Sequence, residues 1–350
     1  MILLLLLVVS VAAQECQDRA GVREKLPYPP KGLEYAKPFP RVHIDDIHAK
    51  ENDDYLHRRK PFVLTHAADD WAAKSNDFLP SVVKKFPNAV VDFYPFNMLA
   101  STNPYLFRLA SAYDEFLKEP GQGRFGEAER RRANGNPGKY LHMQLTTKYW
   151  DNLAVAARAW HPWFQTDEWM NQCLKETLLM DEYLLKTHWK MILAGQPGAG
   201  MFNHTDHLLT GSWHAHLQGL KWWYVCKDGQ CYEDLFHPGD TLFYPQLWHH
   251  QTQNIDMPTV TVTGTVVDAE NYKSVTTRLF NECVRPGGFR FSGKLCDVLD
   301  RCARLWHDEW GTGRYGRKKW RTMATKPVQK ERDGPSSLGN NYDGRNTINE

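Results

Sequence analysis

The sequence predicts a mainly β protein with flanking helices, α+β overall, and three observations carry that prediction. Between 189 and 267, short runs rich in β-branched and aromatic residues recur at close spacing, broken by Gly and Pro turns. Earlier and later stretches space their apolar residues as helices do. The chain also carries 13 Trp, 15 Tyr and 16 Phe, which suits a packed β-rich core and excludes general disorder. Regularly spaced short strands of this kind build a sandwich or a small barrel. At 350 residues the chain can bury a full core, as one large domain or two modest ones. Its net charge of +2 supplies no global field, so nucleic acid is not an expected partner.

Taken in order, the chain opens MILLLLLVVSVAAQECQDRAG. Ile2 to Ala13 is apolar, too short to span a bilayer comfortably, and ends on small residues, the pattern of a secretory signal peptide over 1–13. No second long apolar run follows, so no membrane span is expected in the mature chain. Residues 14–40 are rich in Pro and charge and read as an extended lead-in. KPFVLTHAADDW (60–71) starts as a strand and ends in a turn; FLPSVVKKFP is a short helix and AVVDFYPF a strand. YLFRLASAYDEFLKE (105–119) has helical spacing, followed by a Gly-rich polar loop and the strand YLHMQL (140–145). Asn152 to Leu185 reads as helical, anchored by Trp160, Trp163 and Trp169. WKMILAG (189–195) is a strand and QPGAG a turn. SWHAHL and KWWYVC flank Gln218-Gly219-Leu220, which reads as a hairpin. HPGDTLFYP is a turn entering a strand, and TVTVTGTVV a β-branched strand. Residues 279–311 return to helical spacing, RYGRKKWR (Arg314–Arg321) is basic, and the remainder to Glu350 is polar.

Seven cysteines remain after the leader: Cys16, Cys173, Cys226, Cys231, Cys283, Cys296 and Cys302. With no zinc-type CxxC pair and an exported chain, they read as disulfides with one thiol left over. Cys226 and Cys231 flank the turn sequence KDGQ and are the favoured pair. Cys296 with Cys302, or either with Cys283, is open.

The chemistry concentrates in FNHTDHLLTGSWHAHLQGLKWW (202–223). On a strand, His204 and Asp206 project to one face and can share a metal ion. A third ligand has to come from elsewhere, and GDTLFYPQLWHHQTQN (239–254) offers His249 and His250. Two imidazoles and one carboxylate leave three positions open on an octahedral ion, an arrangement that suits non-haem Fe(II). His207 and His216 read as ordinary hydrogen-bonding histidines.

These segments together, with RKPFVLTHAADDW, YLHMQL and GAGMFNHTD, resemble the JmjC proteins, a branch of the cupin-fold 2-oxoglutarate-dependent oxygenases, over roughly residues 40–270. The resemblance implies a double-stranded β-helix (cupin or jelly-roll) core in a domain over 14–311 with helical insertions, followed by the basic and polar tail 312–350. It implies Fe(II) held by His204, Asp206 and His250. The last follows from the family's third-ligand position five places after Pro245, which leaves His249 facing away. Lys221 matches the residue that pairs with the distal carboxylate of 2-oxoglutarate, and a dianion in an apolar barrel does require a cation there. Tyr140 matches a strand tyrosine touching the same carboxylate, and His214 occupies a co-substrate position where Asn is common. Met201 departs from the hydroxyl residue frequent at its position; Thr263 or Thr265 is a replacement hydroxyl. The implied activity is a 2-oxoglutarate-dependent dioxygenase reaction, using O₂ with ascorbate in a supporting role, that hydroxylates a side chain of a protein or peptide substrate. With the leader, the expected location is the secretory pathway, secreted or in the ER lumen. The rival reading is a secreted cupin that binds metal or ligand without turnover. The sequon Asn203-His204-Thr205 adjoins the expected mouth and is expected to stay unmodified.

Overall fold

The computed structural model describes residues 22–310, apart from 28–29, 31–32, 34–35, 57–58, 70, 72–76, 96–103, 120–121, 126–137, 154–172, 175, 268–269 and 285–289. The leader over 1–13, Cys16, the anchors Trp160, Trp163 and Trp169, and the tail 312–350 lie outside the described residues.

Among the described residues, twelve strands form two sheets. The larger has nine strands in the order β1-β2-β10-β7-β12-β6-β5-β3-β4. These are β1 (Arg41–His43), β2 (Phe62–Thr65), β3 (Val90–Tyr94), β4 (Tyr105–Arg108), β5 (Tyr140–Gln144), β6 (Lys190–Gly195), β7 (Gly211–Gln218), β10 (Thr241–Tyr244) and β12 (Thr259–Val266). All neighbours are antiparallel except β1 and β2, which are parallel. The smaller sheet has β8 (Lys221–Lys227) between β11 (His249–Asn254) and β9 (Gln230–Phe236). The result is a mixed α and β architecture dominated by a mostly antiparallel sheet.

Alternation decides what each face meets. On β5, Leu141 and Met143 join Ile192 and Ala194 of β6 and Val260 and Val262 of β12 in one core. The helices Phe78–Lys85 and Leu109–Phe116 cover that core through Phe78, Leu79, Val82, Leu109, Ala112 and Phe116. Each large apolar side chain so buried contributes about 1.5–3 kcal/mol. Between the sheets, Val63, Leu242 and Tyr244 meet Trp223, Val225 and Phe236. Leu26 and Ala36 of the lead-in close the outer side of the small sheet over Trp222, Tyr224 and Leu235. There Arg23 Nε and Nη2 donate to Glu233 at 2.6 and 2.7 Å.

A separate core joins the helices Thr177–Thr187, Tyr272–Val284 and Gly293–Trp310. Disulfides tie it: Cys173–Cys302 and Cys283–Cys296, with Cys226–Cys231 across β8 and β9. The favoured pair thus forms. Cys283 takes Cys296, and Cys302 reaches back 129 residues to Cys173 instead of pairing locally. Three disulfides fit an oxidising, secreted or extracellular setting. Among the described residues no helix is long and apolar enough to cross a membrane.

Three expectations change. β7 and β8 are not a hairpin: β7 pairs with β10 and β12, and β8 with β9 and β11. Both strands are mostly buried and have both edges occupied, so the chain must cross between sheets at Gly219. Its φ is +68°, and a Cβ there would lie 2.7 Å from Pro258 O. The segment 105–119 begins as strand, because Phe107 is buried opposite Val91, and turns helical only at Leu109. The C-terminal helical region starts earlier, at Tyr272, and is two helices, the first ending at Val284 ahead of Pro286 in the sequence.

Candidate metal centre

His204 and Asp206 do not lie on a strand. They sit on the loop between β6 and β7, and an isolated antiparallel bridge joins His204 to His250 on β11. His204 N donates to His250 O at 3.0 Å and His250 N to His204 O at 2.8 Å. This bridge delivers two imidazoles side by side, with ring centroids 4.2 Å apart. Asp206 Oδ1 lies 3.8 Å from His250 Nε2. One ligand-type atom from each of His204, Asp206 and His250 falls within 4.8 Å of the others, so the three form a group able to hold a metal ion. His249, next along β11, is exposed and outside that group.

The surroundings suit a metal. His204 Nδ1 lies 2.7 Å from Phe202 O, and His250 Nδ1 lies 3.1 Å from Trp248 O. Each backbone carbonyl therefore fixes the tautomer and leaves Nε2 as the lone-pair nitrogen. Burial pushes the His250 imidazole down to about 4, with Asp206 opposing, so the ring is neutral and able to ligate at neutral pH. Ser212 Oγ donates to Asp206 Oδ2 at 2.9 Å, holding that oxygen and leaving Oδ1 toward His250. Tyr244 Oη stands 3.2 Å from His250 Nε2 and 3.3 Å from His214 Nε2.

The group opens on a cavity of about 320 Å³, at the small end of the range for small-molecule sites. Lys221 lines it and is 1% exposed. Its Nζ donates to Tyr140 Oη at 2.9 Å and lies 5.4 Å from the rings of Tyr140 and Trp223. No carboxylate pairs with it among the described residues. Burial alone pushes the Lys221 ammonium down to about 7, and burial raises the Tyr140 phenol. His214 is buried and neutral, since burial and the nearby Lys221 push its imidazole well down. Its Nε2 lies 3.3 Å from Thr263 Oγ1, whose hydroxyl donates to Trp213 O at 2.8 Å. Met201, Thr252 and Thr265 also line the cavity. His216 accepts from Trp223 Nε1 at 3.0 Å, and His207 Nε2 stands 3.5 Å from Glu282 Oε1.

His204, Asp206, His250, Lys221, Tyr140 and His214 therefore all border one cavity. Three further groups were not singled out from sequence. Ser212 shares the face of His214 and His216 by strand alternation, Tyr244 ends β10 two places after Leu242, and His142 is two places beyond Tyr140. Period-two counting from residues already chosen would have found Ser212 and His142.

The class defined by this arrangement is a mixed α and β protein with a two-histidine, one-carboxylate group on a cavity. A scan against protein-family models finds no match for the chain.

Proposed function

We propose that the protein is an Fe(II)- and 2-oxoglutarate-dependent oxygenase of the JmjC type, its two facing sheets forming a double-stranded β-helix, that hydroxylates a polypeptide side chain in the secretory pathway. The observation that carries this reading is Lys221, a lysine buried without a counter-charge among the described residues, on the same cavity as the His-Asp-His group. Burying an unpaired ammonium is costly, and a dianionic ligand removes that cost. A zinc hydrolase would give this lysine no role.

When bound, Fe(II) supplies activation of O₂ coupled to oxidative decarboxylation of 2-oxoglutarate to succinate and CO₂. His204 and His250 would hold it through Nε2 and Asp206 through Oδ1, while Ser212 keeps the carboxylate oriented. Lys221 would pair with the distal carboxylate of the co-substrate, steadied by Tyr140. Met191, Leu193 and Trp223 line the cavity and would exclude water from its interior.

The test is succinate formation by purified protein given Fe(II), 2-oxoglutarate, O₂ and ascorbate. Turnover by the wild type and none by Asp206→Ala is the expected result; no turnover by either removes the oxygenase reading. A second reading, a cupin that binds metal without turnover, draws support from Met201 in place of the family's frequent hydroxyl and from His214, whose Nε2 is already engaged by Thr263 and Tyr244. It requires metal binding with no succinate in the same assay.

A further inference from the structure

β5 presents Tyr140, His142 and Gln144 on the side opposite its core residues Leu141 and Met143. Tyr140 is taken by Lys221. Gln144 Nε2 donates to Asp92 Oδ2 at 2.6 Å and lies 3.2 Å from His188 Nε2. His142, between them, lines the cavity and is 5% exposed, yet among the described residues its Nε2 has no hydrogen-bond partner. It is wedged between the rings of Tyr94 and Tyr140, with centroids 4.9 and 4.4 Å away. An orphaned buried ring nitrogen is destabilising, and a ligand able to hydrogen-bond to it removes that cost.

Charge narrows what that ligand is. Among the described residues, Asp206 is the sole carboxylate bordering the cavity, and Lys221 and Lys186 are its only lysines. Lys186, at the rim, is paired with Glu182 at 2.9 Å. Burial, with His188 and Lys221 nearby, pushes the His142 imidazole well down, so it adds no charge. On the oxygenase reading, on which this inference rests, the metal dication, Asp206, the 2-oxoglutarate dianion and Lys221 sum to no net charge. A lysyl or arginyl side chain entering that neutral, enclosed space would find no counter-ion. A neutral group with a donor and an acceptor would satisfy His142 in either tautomer.

We propose that His142 is a specificity-determining residue that hydrogen-bonds the substrate side chain, and that this side chain is a neutral carboxamide, asparaginyl or glutaminyl, and not a cation. Met191, Leu193 and Tyr94 would pack its methylene stem.

The experiment has two readouts. First, secretory-extract peptides are incubated with wild type, His142→Leu and His142→Asn, following both succinate and oxygen incorporation by mass spectrometry. The wild type is expected to oxidise asparaginyl or glutaminyl side chains. His142→Leu is expected to keep substrate-independent succinate formation within about twofold while losing peptide oxidation by about tenfold or more, and His142→Asn to recover part of it. Second, protein loaded with Zn(II) and 2-oxoglutarate is titrated with N-acetyl-asparaginamide and N-acetyl-lysinamide, observing the histidine ring nitrogens by NMR. The asparagine probe is expected to shift a resonance that His142→Leu removes, and the lysine probe to leave it in place. Oxidation confined to lysyl or arginyl residues, peptide oxidation unchanged in His142→Leu, or a response to the lysine probe alone overturns the proposal while leaving the oxygenase reading intact. Absence of succinate from the wild type removes both.

Discussion

Lys221 is where one side chain reports most on the whole account. An unfolded lysine titrates near about 10.4, whereas burial holds this one to about 7. Between those values the unfolded chain binds the additional proton. The stability contributed at this position therefore rises with pH from about 7 to about 10, and its cost is complete below 7. That cost is on the order of 4 kcal/mol. Lys221→Met is expected to raise the denaturation midpoint of the metal-free protein at pH 7, flatten its pH dependence over that window, and abolish 2-oxoglutarate binding. A loss of stability at pH 7 would contradict this. Since pairing with a dianion needs the protonated lysine, 2-oxoglutarate affinity for the Zn(II) protein should fall by up to about tenfold per pH unit above 7, measured by calorimetry. Affinity that stays level to pH 9 would mean that Lys221 is not the anchor. The site residues were legible in unequal measure. His204, Asp206 and Lys221 stand in one short stretch, whereas the residues alone left His249 and His250 both open and only the resemblance favoured His250. The place of His142 beside Tyr140 follows from period-two counting, but its Nε2 without a partner among the described residues shows only in the packing.

At the scale of elements, most strands could be read because they are short apolar or β-branched runs bounded by turn residues: β3, β5, β6 and β12 fall where the pattern puts them. The break between β7 and β8 could not. A Gln-Gly-Leu link permits a hairpin or a crossing, and the choice is made by distant partners, with Leu220 N donating to Asp256 Oδ2 at 2.9 Å and Thr259 Oγ1 to Leu220 O at 3.0 Å. The same limit applies to the helices. Cys302 could have paired with Cys296 locally, but the helix Gly293–Trp310 packs against Thr177–Thr187 and brings Cys173 within reach. Loop closure then ranks the two helical disulfides. Sequence separations of 129 and 13 correspond to roughly 5 and 3 kcal/mol of unfolded-state entropy. Cys173→Ser/Cys302→Ser should therefore lose more stability in urea denaturation than Cys283→Ser/Cys296→Ser. Equal losses would show that the long bridge closes a region already compact when unfolded.

The whole molecule places two of the three candidate ligands on a loop and the third on the small sheet, with Lys221 at the start of that sheet's central strand. Metal binding should therefore tie the loop to the small sheet and stabilise the assembled fold as well as the site. A divalent ion at about a hundredfold excess over its dissociation constant adds about 2.7 kcal/mol. Thermal denaturation should show a shift of that size in the wild type and none in Asp206→Ala; equal shifts would place the ion elsewhere. The large cores, the β-dominated architecture and the disulfide-bearing helices follow from apolar pattern and composition. How the two sheets face each other depends on contacts such as Val63 and Leu242 against Trp223, which no local pattern specifies. The most direct measurement of the central claim is anaerobic Fe(II) binding to the wild type and to His204→Ala, Asp206→Ala, His250→Ala and His249→Ala. A single ion per chain, weakened by about tenfold or more in the first three variants and unchanged in His249→Ala, is the expected result. Retained affinity in all of the first three, or its loss in His249→Ala alone, would contradict it.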